Sequence, residues 1–169
     1  YAFFGNTFSF GAGSYDYYLV KTTSTGALQW SKTYGGAGAD IGYSVVQTTD
    51  GGYILTGSTT SFGAGAEDIY LVKVSSAGAL LWSNVIGGAA MDIPFYVEET
   101  NDGGIMTCGF TTSYGTGSND MFILKTDNAG AVSWMKAYGT TGVDNGYKGV
   151  ETKNGDFVLT GYTGGANVE

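Results

Sequence analysis

Carboxylates are the residues whose types and spacing first suggest chemistry. Asp16, Asp68 and Asp120 stand 52 residues apart, and Asp40, Asp92 and Asp144 keep the same step. A pair of carboxylates could do acid–base work. Asp16, Asp68 and Asp120, however, each precede a strand-like run in a different unit, so each is expected to cap its own loop. Glu98 and Glu99 are adjacent, but neighbours on a strand point to opposite faces and cannot both address one substrate. With no histidine in the chain, Ser–His–Asp and Cys–His sites are impossible. Cys108 is the only cysteine, which excludes an internal disulfide and a cysteine-based metal site. It aligns with Thr56 and Thr160 and reads as a small buried filler. The glycine-rich loops lack the lysine and following helix of a phosphate-binding loop. They also do not match the glycine–aspartate nonapeptide that binds calcium. No catalytic residue, no cofactor and no tightly bound metal is expected.

The elements that must position these residues follow from the same period. Trp30, Trp82 and Trp134 keep the 52-residue step, as do Lys21, Lys73 and Lys125, and Gly26, Gly78 and Gly130. Gly5, Gly57, Gly109 and Gly161 carry it along the whole chain. Three periods leave 13 of the 169 residues over. The expected units are 1–39 (partial), 40–91, 92–143 and 144–169 (partial). Within the unit from Asp40 to Met91, four strands are expected: Tyr43–Thr49, Tyr53–Thr59, Ile69–Val74 and Ala79–Val85. Asp50-Gly51-Gly52 and Ser75–Gly78 are tight turns, because such turns need the positive φ that glycine accepts. The third strand is apolar on both sides, with Ile69 and Leu71 pointing one way and Tyr70 and Val72 the other. A sheet with one wet face would alternate. Short hairpins make the strands antiparallel, and no helical period is present. The fold class is therefore all-β. A repeated four-stranded antiparallel sheet covered on both faces describes the blade of a β-propeller-type array.

That architecture recasts the remaining residues. Phe10, Phe62 and Tyr114 share a phase in the longer loop and are candidates to bind a ligand, by stacking on sugar rings or meeting a protein. The alternative is that each ring plugs its own loop. Glu98 is a further candidate, lining a central channel. Lys21, Lys73 and Lys125 are expected to pair with carboxylates within or between sheets. Tyr1–Thr7 matches the second strand of a unit, and Gly146–Thr152 and Phe157–Thr163 match the first and second. Three units do not close readily into a ring, so further repeats or neighbouring copies are the expected partners. The first residue, Tyr1, reads as that of a processed, trimmed or partial chain.

The segments Asp68–Trp82 (DIYLVKVSSAGALLW) and Tyr43–Thr59 (YSVVQTTDGGYILTGST) resemble the blade repeat of quinoprotein-like propellers and the tandem repeats of large secreted or surface proteins. The resemblance covers the whole chain. It implies a tryptophan packed between blades, a role that falls on Trp30, Trp82 and Trp134 as structure. It does not carry over the vicinal cysteines, catalytic aspartate and calcium ligands of catalytic quinoproteins, because no such cluster is present here.

Composition narrows the setting. The net charge is −8, and all seven basic residues are lysines. No cationic surface for a phosphate backbone can be built, so nucleic acid is excluded as a partner, and anionic lipid is disfavoured. No apolar run is long enough to insert in a membrane as a helix. An acidic, arginine-free chain suits solubility outside a cell. The sequence therefore reads as an extracellular or cell-surface module for recognition or adhesion, binding glycans or surface proteins without catalysis. The alternatives are a structural subunit of a filament or surface layer, and a non-catalytic part of a quinoprotein-like enzyme.

Overall fold

The computed structural model describes residues 1–165. Residues 166–169, the end of the last expected unit, lie outside the described residues. The described chain contains strands and turns and no helix. The first sheet joins β1 (Ala2–Thr7), β2 (Asp16–Thr22) and β3 (Leu28–Tyr34) in that order. The second joins β4 (Asp40–Gln47), β5 (Tyr53–Thr59), β6 (Asp68–Val74) and β7 (Leu80–Ile86). The third repeats it with β8 (Asp92–Glu99), β9 (Ile105–Thr111), β10 (Asp120–Thr126) and β11 (Val132–Tyr138). The fourth is the pair β12 (Asp144–Glu151) and β13 (Phe157–Thr163). Every pairing between these strands is antiparallel. Among the described residues β12 pairs with β13 and not with β1, so the terminal first strand does not complete the opening sheet.

The turns behave as their residues dictate. Between β4 and β5, Gly51 adopts φ +81°, the left-handed region that side chains resist. Its N–H donates to the Thr48 carbonyl at 2.8 Å. Asp50 closes the turn by accepting from the Gly52 N–H at 2.8 Å and the Thr48 hydroxyl at 2.6 Å.

Several strand boundaries differ from the sequence expectation, the first strand of the unit ending at Gln47 rather than Thr49 and the third starting at Asp68 rather than Ile69. The first strand of the unit starts at Asp40 rather than Tyr43, and its last copy at Asp144 rather than Gly146. Aspartate and glycine depress strand propensity, but Asp40 pairs with Thr59 across the sheet and its Oδ2 accepts from two loop groups, whereas its buried Oδ1 has no hydrogen-bond partner among the described residues. The fourth strand runs Leu80–Ile86 rather than Ala79–Val85. Its register shifts between Lys73 and Val74, which leaves Leu81 without a cross-strand partner and exposed.

The core lies between the sheets. Tyr70, Val72 and Val74 of β6 pack with Tyr17 and Leu19 of β2 on one side. Ile69 and Leu71 pack with Phe122 and Leu124 of β10 on the other. The alternation read from the sequence thus buries both faces of β6, whose residues are all buried. Each fully buried Leu, Ile or Phe contributes about 1.5–3 kcal/mol. A further cluster of Met106, Cys108 and Ile123 meets Phe157 and Leu159 of β13.

Candidate functional site

The two aspartate sets, distributed in sequence, meet pairwise between consecutive sheets. A β-carbon on Gly35 would run into the carboxylates of both Asp16 and Asp40. Gly87 stands in the same way between Asp68 and Asp92, and Gly139 between Asp120 and Asp144. All six aspartates are buried. Asp16 accepts from the Ala12 N–H at 3.0 Å and Asp68 from the Gly65 N–H at 3.1 Å, which is the loop capping read from their position. Asp40 accepts from the Gly36 N–H at 2.8 Å and from the Ser61 hydroxyl at 2.7 Å. Asp92 repeats this with Gly88 and Ser113. The Thr163 hydroxyl, followed by the Thr140 N–H, holds the Asp144 carboxyl below its ordinary range. Among the described residues no three His, Cys, Asp or Glu side chains converge as a metal site. The pairs organise loops around a glycine that alone fits between them.

The loop aromatics lie where these loops meet the preceding sheet. The Phe62 ring edge comes within 2.8 Å of where a β-carbon on Gly36 would stand, and its centroid is 5.6 Å from that of Tyr70. The Tyr114 hydroxyl donates to the Gly87 carbonyl at 3.2 Å. Phe10 is exposed and lines a groove with Tyr18, Ser31, Lys32 and Thr33. None of the three rings is buried, and Phe62 and Tyr114 touch the junction ahead of them.

The tryptophans lie between sheets. Trp30 meets the turn glycine Gly78 and the ring of Tyr53, and Trp82 meets Gly130 and packs against the cluster of Ile54, Val97 and Ile105. Trp134 packs edge-on to Phe157 at 5.6 Å. Glu98 bridges as well. It accepts from the Glu151 N–H at 2.6 Å, across to β12, and from the Tyr96 hydroxyl at 3.3 Å. Its neighbour Glu99 reaches the other way, to the Thr49 N–H at 2.8 Å, so the two carboxylates do diverge. Lys73 and Lys125 pair with Asp50 and Asp102, each at 3.0 Å, within their own sheets. Lys21 instead sits 5.5 Å from the ring centroid of Tyr53. Cys108 is buried, and burial pushes its thiol up to about 12.

One aromatic set escaped the sequence reading. The register of β4 against β5 steps from Gly42 to Ser44 and leaves Tyr43 as the extra residue of a bulge. Phe95 and Tyr147 occupy the same position in β8 and β12. A bulge re-aims its side chain. Here the three rings meet, with centroids 5.5 Å apart for Tyr43 and Phe95 and 5.6 Å for Phe95 and Tyr147. The signal was Gly57, Gly109 and Gly161. A β-carbon at these strand positions would overlap the carbonyls of Ile41, Ile93 and Asn145, where the bulged backbone comes close. No protein-family model matches the chain, and no curated protein matches it.

Proposed function

We propose that the four sheets are blades of a β-propeller-type array, of the kind found in quinoprotein-like repeats, and that the array recognises or adheres to other molecules outside the cell without catalysing a reaction. The observation that supports this most is the recurrence of one sheet-to-sheet contact, Trp30 on Gly78 and Trp82 on Gly130, at the period of the sequence. A stack built from one repeated contact presents equivalent side chains at regular intervals, which suits multivalent capture of a glycan or surface protein. The acidic, arginine-free composition accords with an extracellular or cell-surface setting. Binding of the purified chain to glycan and surface-protein arrays tests the reading. Saturable binding to either class supports it, and binding to neither removes it.

A structural role in a filament or surface layer is the second reading, and the outer side of β13 favours it. Val158 is 56% exposed, whereas its equivalents Ile54 and Met106 are 1% and 0% exposed. In those sheets β6 and β10 pair with the strand; among the described residues nothing pairs with the corresponding edge of β13. A neighbouring copy would cover it by strand addition. Ordered fibres in the electron microscope, without ligand binding, would favour this reading over recognition.

A further inference from the structure

We infer that the bulge aromatics Tyr43, Phe95 and Tyr147 form a binding strip for a neutral polysaccharide chain, a site that rests on the recognition reading above and relocates it from the loops to the first strands. The rings come from three different sheets, one per repeat, and their spacing is nearly constant at 5.5 and 5.6 Å. The first pair meets edge-on, at 80° between ring planes, and the second is tilted by 34°; one ring per repeat matches a ligand that is itself a repeating polymer. Tyr43 and Tyr147 remain 43% and 52% exposed, and Phe95 is fixed from behind by Phe110, at 5.8 Å between centroids. The rings are thus held on paired strands rather than on loops, so little ordering would be required on binding.

The chemistry of the strip selects the ligand. Its rings are uncharged, with apolar faces and, at both ends, a phenolic hydroxyl. A pyranose has the complementary character, an apolar C–H face edged by hydroxyls. The nearest lysine in sequence, Lys148, is committed elsewhere, its Nζ lying 5.4 Å from the ring of Tyr96. An anionic polymer would therefore find no cation on the strip, and the net charge of −8 opposes it further. By contrast, Phe62 and Tyr114 are partly occupied by contacts with the preceding sheet.

Calorimetric titration of the full chain with cellohexaose, laminarihexaose and chitohexaose tests the inference, with oligolysine as competitor. We expect at least one hexasaccharide to bind. Phe95→Leu, which keeps apolar cover over Phe110, and Tyr147→Ala, at an exposed position, should each weaken that binding at least tenfold. Phe62→Ala should leave it within twofold. Circular dichroism and urea midpoints establish that each variant is folded. Loss of binding in Phe62→Ala with retention in Phe95→Leu and Tyr147→Ala would overturn the strip while leaving recognition standing. Failure of all three sugars at millimolar concentration, or displacement of a bound sugar by oligolysine, would overturn the neutral-polysaccharide assignment. Failure on the arrays as well would also remove the recognition reading.

Discussion

The indole of Trp82 lies over Gly130, the turn glycine of the next sheet, so closely that a β-carbon there would stand 2.8 Å from Cζ3 of the ring. Gly130 also has φ +82°. Two independent demands therefore fall on one hydrogen atom. Gly51 has nearly the same φ, +81°, but nothing lies within 4 Å of its would-be β-carbon. The pair separates backbone strain from inter-sheet packing. Gly51→Ala should cost about 1–2 kcal/mol, the price of the left-handed conformation. Gly130→Ala should cost about 1–3 kcal/mol more through overpacking. Urea unfolding of both variants measures the difference, and equal losses would mean that the inter-sheet contacts of Gly130 with Trp82 and with the Asn84 amide, whose Nδ2 would stand closer still to the β-carbon, carry no weight.

The Lys73–Asp50 pair gives a pH dependence with a definite sign. The Thr48 hydroxyl, then the Gly52 N–H, then Lys73 hold the Asp50 carboxyl down at about 2. A depressed folded value contributes stability above the unfolded value, near 4, and loses it as pH falls through about 2. Asp102 is lowered by the same three contacts from Thr100, Gly104 and Lys125. Thermal melts should therefore fall in Tm between roughly pH 4 and pH 2, and less steeply in Asp50→Asn. An identical slope in the variant would assign the acid sensitivity to other groups.

Cys108 is buried, with its thiol held far above the neutral range by burial and, to a lesser extent, by Glu98. Nucleophilic thiol chemistry requires the thiolate. Ellman's reagent at pH 8 should therefore leave the native chain unmodified and react fully after denaturation in guanidinium. Rapid labelling of the native protein would show that the sheets around Cys108 open readily.

Much of the fold was legible because the repeat is strict. The period located the hairpins through Gly51 and Gly78, and the apolar character of both strand faces gave the two-sided burial of Ile69 and Tyr70; the place of Trp82 between sheets was implied by the family resemblance alone. The loop-capping role of Asp68 also followed from its position. What was hidden depended on distant partners. The pairing of Asp68 with Asp92 is made across a junction, through Gly87, and neither local propensity nor period reports it. The aromatic strip was hidden by the bulge. A strand read from Tyr43 with a simple period of two has no place for an extra residue, so Tyr43 falls on the wrong face. The repetition of Gly57, opposite the bulge, does not by itself report the close backbone approach it permits.

The most direct measurement is an NMR titration of the ring carbons of the chain with the neutral hexasaccharides. The account predicts shifts concentrated on Tyr43, Phe95 and Tyr147, with Phe10, Phe62 and Tyr114 unmoved. Shifts confined to those loop rings, or no shifts at all, would contradict it.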